Sequence, residues 1–282
     1  MSPMRMPRRP AAVLALLLSL ALLPSAAGAA DMYPSTMAST GDSITRAFNT
    51  SWFPFIDNPA ASWSTGTTAS VNSHYSRLLL LNPAIRGHNL NDAKSGAKMA
   101  DLAGQMQTAA GQKVQYVTAL MGGNDLCTST VGAMTSVDTF RNQFTAAMNA
   151  VKTGLPSAQV YVASIPNAYH LWELFKDNSS ARNTWAAFKV CQSLLAYPLS
   201  TAAADVTRRA AVQQRNADFN TVLHEVCVAY VQCHFDGNLV FNTVFATSDI
   251  TTRDYFHPSL AGQAKLAAVT WAAGYWGPRP GG

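Results

Sequence analysis

Short apolar runs recur along this chain at intervals too wide for hairpins, and that spacing limits its fold more than any other feature. Residues 35–40, 85–90, 114–121 and 160–165, with a weaker candidate at 233–235, have the length and composition of strands. Helical stretches are expected between or after them at 99–109, 137–155, 186–196, 203–230 and 259–273. Strands that alternate with helices make a parallel sheet covered on both faces, an α/β fold. In the last helix Leu260, Ala264, Ala267, Ala268 and Trp271 are expected on one face, with Pro258 at its first position. Residues 46–77 and 166–185 fit neither pattern and read as long irregular connections, a place where binding groups often sit.

Residues 1–30 are set apart from the fold. Arg5, Arg8 and Arg9 precede an apolar run at 11–23 broken only by Ser19, and Ala27-Gly28-Ala29 supplies small residues for cleavage. This is the pattern of a secretory signal peptide, cleaved after Ala29 or Ala30, and the run is too short for a membrane span, which needs about 20 residues. The remaining 31–276 are expected to form one domain, and 277–282, rich in Gly and Pro, a disordered tail. With the three leader arginines gone, 17 basic residues face 15 acidic ones. No basic stripe points to nucleic acid, and no stable membrane insertion is expected. A monomer is the expected state.

Four cysteines, Cys127, Cys191, Cys227 and Cys233, make an even count for an exported chain, and two disulfides are expected. Cys227 with Cys233 closes a short loop cheaply and leaves Cys127 with Cys191. A zinc site lacks the paired spacing and nearby histidines it would need, so no metal is expected.

The chemistry lies in four short segments. Gly41-Asp42-Ser43 follows the first strand, and Asp254-Tyr255-Phe256-His257 sets a carboxylate three residues before an imidazole. A serine hydroxyl becomes a nucleophile only beside a neutral imidazole, which in turn needs a group to fix its tautomer. Hydrolysis of an ester also requires donors for the developing oxyanion. Candidates are the backbone N–H groups of Ser43 and Gly96 and the side-chain amide of Asn124, in Gly122-Gly123-Asn124-Asp125. Asp42 reads as a turn residue beside Ser43, and His74, His88, His170, His224 and His234 as surface or structural histidines.

Each segment alone is an ordinary turn; together and in this order they resemble the SGNH hydrolases, also called the GDSL esterase and lipase family. The resemblance spans residues 40–257, with Ile44 where the family name has leucine. It implies a flavodoxin-like three-layer α/β/α sandwich with a central parallel sheet of about five strands. It also implies Ser43 as nucleophile, His257 as general base, Asp254 as its orienting acid, and Ser43, Gly96 and Asn124 as the oxyanion hole, without cofactor. No Gly-x-Ser-x-Gly elbow surrounds Ser43, which separates the chain from the ordinary α/β-hydrolases. Residues 63–67, 122–127 and 257–259 further resemble the secreted lipase and phospholipase B-like branch. The expected protein is therefore a secreted serine esterase acting on acyl lipids, with Trp52, Phe55 and Trp172 lining an acyl groove. The alternatives are a carbohydrate O-acetyl esterase and a secreted lipid- or glycan-binding module without activity.

Overall fold

Five parallel strands form the centre of the molecule: β1 (Met37–Gly41), β2 (Asn89–Asn91), β3 (Tyr116–Leu120), β4 (Gln159–Val162) and β5 (Cys233–Phe235), in the order β2-β1-β3-β4-β5. The structure, a computed structural model, describes Met1 and residues 32–277. The expected signal peptide, apart from Met1, and the expected tail, apart from Gly277, lie outside the described residues. Ten helices longer than three residues follow in chain order among the described residues. They are α1 (His74–Leu81), α2 (Met99–Gly111), α3 (Gly123–Leu126), α4 (Val137–Gly154), α5 (Ala168–Phe175), α6 (Ser179–Ala187), α7 (Gln192–Leu195), α8 (Ala203–Cys227), α9 (Leu239–Asn242) and α10 (Leu260–Ala272).

Every residue of β1 and β3 is buried, and alternate side chains enter two cores. Ala38, Val117, Ala119, Val160 and Val162 face the layer built from α2, α4 and α8. Met37, Tyr116, Leu120 and Tyr161 face Trp63, α1 and α10. This period of two, with both faces covered, is what a central parallel strand requires. The chain runs from β1 out to β2 and then crosses back to place β3 on the other side of β1. The carboxyl ends of β1 and β3 thus flank the point where the winding reverses, where such sheets open a crevice.

Several elements differ from the sequence reading. The second strand lies at Asn89–Asn91, because a 3-10 turn at Pro83–Ile85 takes up the first residue of the expected run. Helix α1 was unexpected; it begins at Ser73, whose hydroxyl accepts the Ser76 N–H, and it buries His74 completely. The His74 ring is bonded to the Tyr116 hydroxyl at 2.9 Å and the Thr270 hydroxyl at 2.8 Å. Burial, with the charge of Arg77, lowers its pKa to about 3, so it is a neutral structural residue. The expected helix at 186–196 is instead the end of α6 and the separate α7, divided by left-handed residues Lys189 and Cys191. The irregular stretch 166–185 holds α5 and most of α6.

Helix α10 buries a face other than the expected one: Gly262, Gln263, Leu266, Ala267 and Thr270. Its polar members are buried because they bond inward, Gln263 accepting the Trp63 N–H at 2.9 Å and donating to the Ile44 carbonyl at 2.7 Å. Ser259 caps this helix, so Pro258 stands one residue ahead of the cap.

Both expected disulfides form, Cys127–Cys191 and Cys227–Cys233. Two bridges fit an oxidising compartment. Among the described residues no helix is long and apolar enough to cross a membrane. The bridges close loops separated by 64 and 6 residues. In the chain-entropy picture they stabilise by about 4 and about 2 kcal/mol respectively. Urea denaturation should therefore show the larger loss for Cys127→Ala/Cys191→Ala than for Cys227→Ala/Cys233→Ala, and equal losses would contradict this reading.

Candidate active site

Ser43 lies in the tight turn that leaves β1. Asp42 shapes this turn by accepting the Ile44 N–H on Oδ1 at 2.9 Å, and the Ser43 carbonyl accepts the Phe48 N–H at 3.0 Å. The turn presents Ser43 Oγ at the carboxyl edge of the sheet, mostly buried at 8% exposure.

His257 reaches the same edge from the segment before α10. An isolated antiparallel bridge joins Ile250 to Pro258, and Thr251 donates its N–H to the His257 carbonyl at 2.9 Å. Between these anchors Tyr255 adopts a positive φ of 52° and Asp254 folds back over the turn. Asp254 Oδ1 accepts the N–H groups of Phe256 and His257 at 2.9 and 3.0 Å. Its Oδ2 receives His257 Nδ1 at 2.7 Å and Asn49 Nδ2 at 2.5 Å. A carboxylate on Nδ1 holds the proton there, so the lone pair of Nε2 is left for the Ser43 hydroxyl, 2.8 Å away. The rings of Phe48 and Phe256 flank the imidazole, with centroids at 5.0 and 5.1 Å.

Gly96 and Asn124 converge on this pair. Ser43, Gly96, Asn124 and His257 line one open pocket of about 280 Å³, walled in part by Phe48, Phe256 and the Cys127–Cys191 bridge. The backbone N–H groups of Ser43 and Gly96 donate to no acceptor among the described residues. Gly96 has φ of +83° with open space where a Cβ would stand, so conformation, not crowding, makes glycine suitable there. Asn124 donates one amide hydrogen to the Ala97 carbonyl at 2.9 Å, which fixes the group and leaves its second hydrogen free. Asp57 ties two parts of the rim together: it pairs with Arg46 at 2.9 Å and accepts the Ser95 hydroxyl at 2.5 Å.

Two carboxyls carry the electrostatics. Burial pushes the Asp254 pKa up, but the hydrogen bond and charge of His257, its backbone N–H and Asn49 outweigh that and hold it below the ordinary value. Asp42 goes the other way. Complete burial raises it to about 6, opposed by the Ile44 N–H and His257 and assisted by the nearby Asp125 charge. Among the described residues no group of three or more His, Cys, Asp or Glu side chains is placed to hold a metal ion.

The three aromatics expected to bind substrate do not line this pocket. Trp52 is 88% exposed and Phe55 50% exposed on the loop beyond Ser43. Trp172 lies in α5, donates its indole N–H to the Pro198 carbonyl at 2.9 Å and packs under Arg209. Asn49, absent from the residues expected at the site, bonds Asp254 through its amide across 205 residues of chain. Its left-handed backbone, with φ of 65°, is a conformation that asparagine tolerates, and an asparagine after a turn was the available signal.

A protein-family model described as the GDSL-like lipase/acylhydrolase family matches residues 40–265. The chain belongs to this family. No curated protein matches it in sequence. Among solved structures it is similar to a family 3 carbohydrate esterase from Clostridium thermocellum, at 15% identity and a TM-score of 0.51, covering 84% of this chain and 92% of that one. A catalytic mutant of an acetylxylan esterase from Geobacillus stearothermophilus superposes with a TM-score of 0.50 at 13% identity, over 86% of this chain and 96% of the other. Likeness at this identity establishes the fold, a parallel five-stranded sheet between helical layers. Membership of the GDSL-like family establishes an ester hydrolase.

The raised Asp42 pKa has a measurable consequence. The folded chain keeps a proton that the unfolded chain releases between about pH 4 and about pH 6, so stability falls as pH rises through that window. Asp42→Asn removes the loss and should gain about 3 kcal/mol relative to the wild type between pH 4 and pH 8. Urea titrations at the two pH values measure this, and a difference between the proteins that does not change with pH would contradict it.

Proposed function

We propose that this member of the GDSL-like family is an exported serine esterase that hydrolyses acyl-lipid esters through an acyl-enzyme on Ser43. The observation that carries the reading is the unbroken chain from Ser43 Oγ to His257 Nε2 and from Nδ1 to Asp254, opening on the pocket that also holds Gly96 and Asn124. In this account Ser43 Oγ attacks the ester carbonyl carbon while His257 Nε2 takes its proton. The oxyanion is received by the N–H groups of Ser43 and Gly96 and the free amide hydrogen of Asn124. Collapse of the intermediate expels the alcohol, protonated by His257. Water, deprotonated by the same nitrogen, then attacks the acyl carbon and releases Ser43. Asn49 keeps Asp254 Oδ2 aligned with the imidazole. No cofactor is needed for these steps.

An apolar cavity of about 80 Å³ beside Ile44 and Pro258, the chain neighbours of Ser43 and His257, supports the acyl-lipid reading. Leu126, Ile165, Leu171, Leu174 and Phe245 line it; Ile44 and Pro258, neighbours of Ser43 and His257, stand at its edge, and Cys127 and Phe256 are shared with the Ser43 pocket. A space lined this way favours a hydrocarbon chain over water or sugar hydroxyls. Hydrolysis of an acetyl ester, as the name of the acetylxylan esterase of similar fold indicates for that protein, would leave this cavity unused.

Both readings are separable with p-nitrophenyl acetate and octanoate. Ser43→Ala should abolish hydrolysis of each. Ala168→Leu, which fills the apolar cavity, should lower kcat/KM for octanoate at least about tenfold and change acetate less than about twofold. Equal effects on the two esters would remove the acyl assignment, and activity that survives Ser43→Ala would remove the mechanism.

A further inference from the structure

Five large apolar side chains stand exposed beside the mouth of the Ser43 pocket: Trp52, Phe53, Phe55 and Ile56 from the loop beyond Ser43, and Phe188 from the end of α6. Large apolar side chains gathered on an exposed surface cost solubility and mark a contact surface. The group is held in place. Arg253, adjacent to Asp254, donates to the carbonyls of Ser51 and Trp52 at 2.7 Å each. Asn49 accepts the Phe55 N–H at 2.5 Å with the same side chain that bonds Asp254, and the Phe55 ring meets that of Phe188 at 5.3 Å. The residues that orient His257 therefore also orient this ridge.

Charge decides what covers it. Lys94 and Lys98 flank the pocket-lining Ser95 and Gly96, and Lys189 lies between Phe188 and the pocket-lining Val190. All three lysines are exposed, and none is in an ion pair among the described residues. The nearest acidic group of the loop, Asp57, is already engaged by Arg46 and Ser95. Exposed aromatics next to unpaired cations match the two components of an anionic lipid surface, an apolar boundary under negative headgroups. A second copy of the chain would bring the same cations against each other.

We infer that this ridge docks the protein on anionic phospholipid surfaces, with the Ser43 pocket facing the layer. The inference rests on the ester-hydrolase reading only for its purpose; docking itself needs no catalysis. The test uses the protein purified from the medium of a secreting host, with vesicles of phosphatidylglycerol or phosphatidylcholine. Cosedimentation should be at least about tenfold stronger on phosphatidylglycerol. Phe53→Ser/Phe188→Ser should lose at least about tenfold in binding while p-nitrophenyl acetate hydrolysis stays within about twofold of the wild type, which also reports folding. Lys94→Gln/Lys98→Gln/Lys189→Gln should erase the preference for the anionic lipid. The emission that Trp52 contributes, taken as the difference from Trp52→Phe, should shift to the blue on the vesicles. Ser43→Ala should bind vesicles as the wild type does, so a failure of the catalytic reading is visible separately. Absence of binding, binding that the ridge variant retains, or a concentration-dependent dimer that the ridge variant dissolves would each overturn the inference.

Discussion

The close approach of β1 to β3 at Gly41 is the contact on which the site depends. Gly41 has φ of +143°, and a Cβ there would stand 2.4 Å from the Leu120 carbonyl oxygen. Only glycine lets the chain leave β1 at that angle while pressed against β3. Two residues later stands Ser43, and after β3 the chain passes through Gly122 straight into α3, which carries Gly123 and Asn124. Gly122 is confined in the same way, with φ of +129° and Ile165 occupying the space of a Cβ. Because the winding reverses between these strands, their ends flank a crevice, and the serine that follows one and the amide that follows the other line the same pocket.

The histidine has to be brought to that opening from 214 residues away. Its position is set by a chain of polar contacts that would cost stability if left incomplete. Asp254 spends one oxygen on two backbone N–H groups and the other on His257 and Asn49, so its buried charge is fully matched. Asn49 belongs to the loop that follows Ser43, and Gln263 of α10 bonds the Ile44 carbonyl beside Ser43. Two segments more than 200 residues apart are thereby joined around Ser43 and His257. Preorganisation of this kind is what makes donors effective on a developing oxyanion. The Cys127–Cys191 bridge adds a covalent wall three residues after Asn124.

Much of this was legible in the sequence because it is written in local patterns. Buried parallel strands read as near-continuous runs, so β1, β3 and β4 are legible within a few residues, whereas β5 is a half-buried edge strand that gives only a weak signal. The turns at Gly41-Asp42-Ser43 and Gly122-Gly123-Asn124 follow those runs directly. What failed had long-range causes. The break between α6 and α7 falls at left-handed Lys189 and Cys191, the latter bridged to a partner 64 residues away, and helical propensity registers neither. The buried face of α10 was misplaced because Gln263 and Thr270 look exposed until their partners Trp63, Ile44 and His74 are known. Trp172, expected in an acyl groove, has its indole committed to Pro198 and its ring to Arg209. Aromatic residues in an irregular segment do not by themselves reveal whether they pack or protrude.

Covalent trapping tests most directly whether Ser43 carries the acyl group. The protein would be treated with a fluorophosphonate, digested, and the adduct located by peptide mass spectrometry. The account predicts one stoichiometric adduct on Ser43 with loss of esterase activity, and very slow labelling of His257→Ala, since Nε2 no longer takes the hydroxyl proton. An adduct on another residue, or full esterase activity in protein that stays unlabelled, would contradict it.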